Sequence, residues 1–223
     1  MINYINRKKN KILTMIITWF GHASFLIEAD GKDIYIDPKT GEYPTKADII
    51  LVSHGHYDHY SWEKINQLRM DHTIILSTRE VANRVDGAKA MKAGDNETIG
   101  GIKIEAVEAY STTRSDHPKG SVIGFVIEAE RKRVYFSGDT DLIPEMENIE
   151  ADIAIVPVSG TSVMNYKEAI EAIKRIKPKL AIPMHFGSGV GTIEDAERFK
   201  EEVEFQTDTK AEILEVGREL NIK

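Results

Sequence analysis

The chain alternates between short apolar runs and short polar breaks, a pattern typical of β-strands joined by turns. Most of the runs are rich in Ile and Val, whose branched side chains pack well on a pleated sheet. The pattern predicts strands at residues 15–19, 25–28, 33–36, 49–52, 73–76, 102–107, 122–128, 133–136, 153–156 and 180–182. The break at residues 30–32 (Asp-Gly-Lys) predicts a hairpin turn.

Helical periodicity predicts helices at residues 61–70, with Ser61 as the amino-terminal cap, and at 79–85, 166–176 and 194–203. Strands come first and then alternate with helices, so the sequence predicts an α/β fold. Residues 47–52 (Ala-Asp-Ile-Ile-Leu-Val) resemble residues 151–156 (Ala-Asp-Ile-Ala-Ile-Val). Two similar half-domains packed sheet against sheet would produce this internal similarity.

Composition narrows the chemistry. The 223 residues include no cysteine, which excludes disulfides, thiolate zinc sites, iron–sulfur clusters and a cysteine nucleophile. A soft-metal site in this chain must therefore use imidazole and carboxylate ligands, and the chain has seven histidines. The formal net charge of −7 argues against a general nucleic-acid binder.

Residues 1–14 differ from the rest because they carry four basic residues and no acidic one. We expect a disordered basic N-terminal extension, or an upstream start codon with Met15 as the natural start, followed by a single domain over residues 15–223. An anion-binding arm is the alternative. The extension is too polar for a signal peptide, and no apolar run reaches the roughly 18 to 20 residues that span a bilayer. We therefore expect a cytoplasmic protein.

The strongest chemical signal is residues 53–59 (Ser-His-Gly-His-Tyr-Asp-His), which directly follow a predicted buried strand. Side chains two positions apart leave a strand end on the same side, so His54 and His56 can converge on one ion. Asp58 and His59 lie farther round the turn and can face a second ion. The alternative is a solvated loop with incidental histidines, which four potential ligands in six positions disfavour.

This His-x-His-x-Asp-His pattern resembles the signature of the metallo-β-lactamase superfamily. Further motifs fall in the expected order at residues 19–25 (Trp-Phe-Gly-His-Ala-Ser-Phe), 36–38 (Ile-Asp-Pro), 137–141 (Ser-Gly-Asp-Thr-Asp) and 183–187 (Pro-Met-His-Phe-Gly). Together they resemble the branch that includes L-ascorbate 6-phosphate lactonase and many uncharacterised metal-dependent hydrolases. The resemblance implies an αββα four-layer sandwich, in which two mixed β-sheets pack face to face with helices outside and two metal ions lie at one edge.

The resemblance also implies a set of metal ligands. The first ion would take His54 and His56, the second would take Asp58, His59 and His185, and Asp139 would bridge both. Many relatives place a third histidine of the first site where this chain has residues 108–111 (Glu-Ala-Tyr-Ser). We expect His117, a few residues farther along, to be the displaced ligand. The competing interpretation makes His117 a loop residue over the pocket.

Five residues are candidates for roles around the ions. Asp58 is expected to be the catalytic carboxylate that orients or deprotonates water, in addition to touching a metal. Asp37 is expected to orient one ligand histidine. His22 either hydrogen-bonds a metal ligand or the substrate, or caps backbone groups in its turn. Arg114 and Lys119 either attract a phosphate or carboxylate of the substrate or belong to a solvated loop.

These inferences favour a hydrolase that uses a metal-bound hydroxide at a dinuclear site on a small, anionic ester, lactone or phosphoester. Zinc is the expected metal and manganese the alternative, because the di-iron redox members of the superfamily have glutamate at the place of His56. The alternatives are a metal-dependent nuclease, a phospholipid or other phosphodiesterase, and a non-catalytic metal-binding protein. The expected partner is a small-molecule substrate, and no nucleic acid or membrane is expected as a partner. A homo-oligomer is possible.

Overall fold

The computed structural model describes residues 14–222, so the predicted extension at residues 1–14 lies outside the described residues except for its last position. The described strands are β1 Met15–Trp19, β2 Phe25–Ala29, β3 Lys32–Ile36, β4 Ile49–Val52, β5 Ile74–Ser77, β6 Lys89–Ala90, β7 Asn96–Ile99, β8 Ile102–Ala109, β9 Val122–Ala129, β10 Lys132–Phe136, β11 Ile153–Pro157, β12 Leu180–Met184, β13 Lys210–Ala211 and β14 Glu219–Ile222. The described helices are α1 Trp62–Leu68, α2 Arg79–Ala82, α3 Tyr166–Ile176, α4 Ile193–Gln206 and a 3₁₀-helix at Pro144–Asn148.

The strands form two seven-stranded sheets that share one topology. The first sheet has the order β14-β1-β2-β3-β4-β5-β6, and the second has the order β7-β8-β9-β10-β11-β12-β13. In each sheet four antiparallel strands are followed by three that continue in parallel. The similar segments at residues 47–52 and 151–156 contain β4 and β11, the fifth strand of each sheet, so the two half-domains expected from their similarity are present.

An aspartate at the start of each of these fifth strands explains part of the similarity. Asp48 accepts a hydrogen bond at Oδ2 from the amide of Asp33 at 3.0 Å and donates its own amide to the carbonyl of Asp33 at 2.9 Å. Asp152 makes the same two hydrogen bonds with Arg133, at 3.0 and 2.9 Å. Each aspartate therefore fixes the register between a hairpin strand and the parallel strand that follows it.

The two halves also contact each other through equivalent hairpin turns. The amide of Asp30, between β2 and β3, donates to Oε1 of Glu130 at 2.9 Å. The amide of Glu130, between β9 and β10, donates to Oδ2 of Asp30 at 3.1 Å. This reciprocal pair joins the two sheets at the edge opposite to the carboxyl ends of the parallel strands.

Apolar side chains fill three interfaces, which makes four layers. Between the sheets, the rings of Phe25 and Phe136 meet edge to face with centroids 6.1 Å apart. On the outer face of the first sheet, Leu26 packs in one cluster with Ile65 of α1. On the outer face of the second sheet, Ile173 of α3 is fully buried in the main core. The αββα sandwich implied by the resemblance is confirmed.

The strand predicted at residues 180–182 continues through Pro183 to Met184. The carbonyl of Ala181 faces β13, because it accepts a hydrogen bond from the amide of Glu212. Pro183 lies two positions farther along and faces the same side, beyond the last pairing of β13 with Ala181. The missing N–H of proline therefore costs no ladder hydrogen bond at this position.

Within residues 14–222, no helix has the length and apolar composition needed to cross a lipid bilayer.

Candidate metal centre

Loops from both sheets bring histidines and aspartates to one edge of the sandwich, where the parallel strands end. Loops that leave parallel strands meet at this edge, which is where α/β sheets commonly bind ligands. The residues are His22 from the β1–β2 loop, Asp37 after β3, His54, His56, Asp58 and His59 after β4, His117 from the β8–β9 loop, Asp139 after β10 and His185 after β12. All seven predicted metal ligands therefore lie at the same edge.

The first group of ligand atoms comes from His54, His56 and His117, and these atoms lie within 4.8 Å of one another. Nε2 of His117 is 3.1 Å from Nδ1 of His56. Two nitrogens bound to one tetrahedral zinc at 2.0–2.1 Å would be about 3.3 Å apart, so the spacing suits a shared ion. The buried ring of His117 turns into this group, as expected for the displaced ligand.

The second group comes from His22, Asp58, His59 and His185, again with ligand atoms within 4.8 Å of one another. Oδ2 of Asp58 lies 3.1 Å from Nε2 of His22 and 4.0 Å from Nε2 of His59. His59 and His185 are buried, whereas the carboxylate of Asp58 is 29% exposed. Asp58 therefore stands on the solvent side of this group.

Asp139 lies between the two groups. Its Oδ1 is 3.1 Å from Nε2 of His59, and its Oδ2 is 3.2 Å from Nε2 of His185. The same Oδ2 is 3.5 Å from Nε2 of His117 and 4.0 Å from Nε2 of His54. The carboxylate of Asp139 is thus in contact with imidazoles of both groups.

Several of these ligand atoms have no hydrogen-bond partner. Nε2 of His54, His59 and His185 and Oδ1 of Asp139 are buried and accept or donate no hydrogen bond within residues 14–222. Where His59 and Asp139 approach to 3.1 Å, the contact is an ion pair whose angle is not that of a hydrogen bond. Each unsatisfied buried polar atom costs about 1–3 kcal/mol, which metal coordination would offset. The residues present therefore fit metal ions.

The other ring nitrogen of these histidines is held by the protein. Nδ1 of His54 is 2.9 Å from Oγ of Ser53, and Nδ1 of His185 is 3.0 Å from Oγ of Ser159. Nδ1 of His117 is 3.1 Å from the carbonyl oxygen of Ser162. Metal-binding histidines usually donate their second N–H in this way, which fixes the tautomer and the orientation of the ring.

Asp37 contacts one of these histidines directly, as expected, and reaches a second one through Ser53. Its Oδ2 is 2.7 Å from Nδ1 of His59 and accepts the hydroxyl of Ser53 at 2.6 Å, and its Oδ1 accepts the amide of Ser53 at 2.7 Å. Because the hydroxyl of Ser53 also contacts His54, Asp37 orients one histidine of each group. The roles of Ser53 and Ser159 were missed from the sequence, although each serine follows one of the two similar segments that form β4 and β11.

Burial and charge set the protonation of the histidines in opposite directions. Burial holds the pKa of His54 well below its usual value, and burial also lowers the pKa of His117. Burial would lower the pKa of His59 too, but the carboxylates of Asp139 and Asp37 outweigh it and raise that pKa well above its usual value. A cation that binds at Nε2 of His59 therefore displaces a proton, while the first two rings are already neutral.

The two carboxylates of the centre are ionised. Burial alone would raise the pKa of Asp139, but the charges of His59 and His185 bring it well below its usual value. For Asp58 the hydrogen bond from His22 likewise outweighs burial and lowers the pKa. Burial lowers the pKa of His22 itself, against the effect of Asp58. Both aspartates are thus ready to bind a cation.

Arg114 and Lys119 are engaged by carboxylates outside the two groups. The guanidinium of Arg114 donates to Oδ1 of Asp141 at 3.1 Å and to the carbonyl of Val163 at 2.9 Å. The ammonium of Lys119 lies 2.8 Å from Glu145 and 3.5 Å from Glu108. These contacts tie both cations to neighbouring segments and favour the alternative in which they belong to a solvated loop and do not attract the substrate.

Gly138 lets the backbone before Asp139 pass close to a neighbouring strand. It adopts a φ of 63°, and a Cβ here would lie 3.0 Å from the carbonyl oxygen of Ile123. The backbone therefore passes close to β9 at this strand end, just before the position from which Asp139 extends between the two groups.

The chain is similar to known proteins over most of its length. Residues 16–185 match the family model described as the β-lactamase superfamily domain. A UPF0173 metal-dependent hydrolase of Pelotomaculum thermopropionicum is 34% identical over 230 residues, which cover 93% of this chain and 100% of that protein.

Solved structures agree with this match. A Parabacteroides distasonis protein described as a metal-dependent hydrolase superposes with a TM-score of 0.83 at 31% identity, over 91% of this chain and 93% of the other. A Thermotoga maritima protein described as a zinc-dependent hydrolase of the metallo-β-lactamase superfamily superposes with a TM-score of 0.63 at 29% identity, over 91% of this chain and 99% of the other. The chain therefore belongs to the β-lactamase superfamily and, within it, to the UPF0173 family of metal-dependent hydrolases.

Proposed function

We propose that this edge holds two divalent metal ions, and that the dinuclear centre hydrolyses a small, anionic ester, lactone or phosphoester. The proposed ligands are His54, His56 and His117 for the first ion, Asp58, His59 and His185 for the second, and Asp139 for both. The position of Asp139 carries the proposal. Its two oxygens lie 3.1 Å from His59 of the second group and 3.5 Å from His117 of the first, so one buried carboxylate can bridge two ions. A bridging ligand of this kind is what a two-metal hydrolase needs to keep both ions close to one substrate bond.

Zinc is the metal that the ligand set supports best. Imidazole and carboxylate suit zinc, although they also suit manganese, iron and nickel. The description of the Thermotoga maritima relative as zinc-dependent supports zinc in this chain as well. Manganese is the alternative to be tested beside it.

When bound, divalent ions lower the pKa of water from 15.7 towards about 7 and polarise the substrate oxygen as Lewis acids. The residues of the chain would bind the ions, orient a water molecule and keep bulk solvent away. The buried imidazoles of His54, His59 and His185 hold fixed positions because the protein occupies their Nδ1 atoms. Asp58 is partly exposed and ionised, so it can orient a water molecule or accept its proton.

The charge of the loaded centre supports an anionic substrate. Two divalent ions outweigh the ligand carboxylates of Asp58 and Asp139 and leave the site positive. Arg114 and Lys119 add little to this support, because Asp141, Glu145 and Glu108 engage them. The motif resemblance to the branch with L-ascorbate 6-phosphate lactonase supports lactones and phosphorylated esters as the first compounds to test.

Elemental analysis of the purified protein is expected to find two transition-metal ions per chain. The zinc and manganese forms should then be screened against lactones, phosphodiesters and phosphomonoesters, with single-stranded RNA and DNA as a comparison. We expect hydrolysis of one small-molecule class, its loss in chelator and its recovery on adding the metal. Fewer than one ion per chain would contradict a dinuclear centre, and activity on nucleic acid alone would favour the nuclease.

Replacing His117 with alanine is expected to remove the ion of the first group and to leave the ion of the second. Only His54 and His56 would then remain in the first group, whereas the second group loses no ligand. Metal content after dialysis should fall from two ions to one. His72, whose ring is 66% exposed, offers the matched control, because His72→Ala should keep both ions. Unchanged metal content in His117→Ala would show that the loop histidine is not a ligand.

A further inference from the structure

We propose that His22 is a positioning residue, which donates a hydrogen bond from Nε2 to Asp58 and so fixes that ligand for the second ion without binding the ion itself. The inference rests on the proposed dinuclear function. Nε2 of His22 lies 3.1 Å from Oδ2 of Asp58, and its ring is buried. Its distance to the second group alone would also allow His22 to be a ligand, so the assignment depends on its other ring nitrogen.

The two ring nitrogens of His22 are arranged in the opposite way to those of the buried ligands. In His54, His59 and His185, Nδ1 has a partner from the protein, and Nε2 is buried without one within residues 14–222. In His22, Nε2 has the partner and Nδ1 is buried without one among the same residues.

A metal ion at Nε2 of His22 would require the proton to sit on Nδ1, where it would be a buried donor with no acceptor. Such a donor costs about 1–3 kcal/mol, and ligand histidines nearly always avoid this cost. With the proton on Nε2, the N–H is used by Asp58 and Nδ1 is only an unused acceptor. The hydrogen bonds of the ring therefore assign His22 as a donor to Asp58.

The backbone of His22 supports the same role at a second ligand. Its carbonyl accepts the amide of His185 at 3.1 Å and the indole N–H of Trp19 at 3.0 Å. The rings of His22 and His185 pack with centroids 4.1 Å apart. His22 thus contacts Asp58 with its ring and His185 with its ring and backbone, and it connects two ligands that lie far apart in the sequence.

His22 adopts a left-handed conformation in its turn, with a φ of 52°. This conformation is uncommon for residues other than glycine, although asparagine, aspartate and histidine adopt it more often than the rest. The contact of the ring with Asp58 is made from this conformation.

Two substitutions separate the hydrogen bond from the backbone. In His22→Gln the amide nitrogen can occupy the place of Nε2 and restore the donor. In His22→Asn the left-handed backbone is tolerated best, but the side chain is too short to reach Asp58. The experiment measures the dissociation constants of both zinc ions by competition with a chelator. Thermal unfolding of the metal-free proteins reports whether each variant folds.

We expect His22→Asn to lower the affinity for the second zinc ion by about 10- to 100-fold, as substitution of other residues that orient metal ligands does. The affinity for the first ion should not change. His22→Gln should restore the affinity despite its greater backbone strain. Wild-type affinity in His22→Asn would overturn the positioning role. An equal loss in both variants, matching that of His185→Ala, would make His22 a ligand. A wild-type chain that takes up only one ion would overturn the proposed function instead.

Discussion

Replacing Asp139 with asparagine is expected to remove most of the hydrolase activity while the chain still folds. The amide has the size of the carboxylate, but it carries no charge and offers one acceptor oxygen, so it cannot bridge two ions. Because metal ions stabilise transition states by several kcal/mol, the loss of the bridge should lower kcat/KM by about 10³-fold. Activity and metal content of the same preparation measure this, and at least one ion should be lost.

Asp152→Asn is the matched control for this change. Asp152 lies at the start of β11, at the opposite end of the strands from the metal centre, where it accepts the amide of Arg133 and pairs with Lys179 at 2.8 Å. The same chemical substitution there should lower thermal stability slightly and leave both ions in place. An Asp139→Asn chain that keeps two ions and the wild-type rate would contradict the bridging role.

The second large effect is expected in Asp37→Ala, on stability as well as on metal binding. The substitution leaves His59 and Ser53 without their acceptor in a buried site. Breaking a buried charge pair by removing one partner lowers the free energy of unfolding by about 3–5 kcal/mol. Loss of the group that orients a metal-binding histidine lowers metal affinity by about 10- to 100-fold. Denaturant unfolding without metal and chelator competition measure the two effects separately.

Ser53→Ala distinguishes the two branches of this network. It removes the hydroxyl that contacts His54 and keeps the contact between Asp37 and His59. The stability loss should be about 1–3 kcal/mol, because the hydroxyl contacts both Asp37 and His54 and its removal leaves Nδ1 of His54 without a partner. The loss of metal affinity should fall on the first ion. Asp37→Ala should lower the affinity for both ions. An Asp37→Ala chain that keeps the wild-type affinity for the first ion would show that Asp37 does not act through Ser53.

The sequence predicts best the strands and helices whose own buried residues form a clear apolar pattern. The apolar run at residues 49–52 and the periodicity at residues 166–176 match the observed bounds of β4 and α3. The edge strands β6, β7, β13 and β14 were missed, because they are short or largely exposed. β14 pairs with β1 from the other end of the chain, and no local pattern contains such a pairing.

The proposed metal ligands also differ in how far the sequence alone predicts them. The four proposed ligands in residues 54–59 can be predicted because adjacent positions after one strand must stay together in space. His117, Asp139 and His185 come from separate loops, and only the resemblance to a known family brings them into one site before the structure does. The supporting residues Ser53 and Ser159 depend on hydrogen-bond geometry. Ser53 directly follows residues 47–52, whereas Ser159 lies three positions after residues 151–156, so the similarity of these segments does not locate both serines.

The reciprocal contact between Asp30 and Glu130 lies one strand length away from the metal centre, so a small rotation there would move the residues of the centre. It joins the two sheets at one edge, while the histidines and aspartates of both sheets meet at the other. A strand of five residues spans about 17 Å, so a rotation of about 3° at the turns would displace the ligands of one sheet from those of the other by about 1 Å. An error of that size in a reacting geometry can cost about 100-fold in rate. The precision of the centre is therefore set partly by two turns that touch none of its ligands.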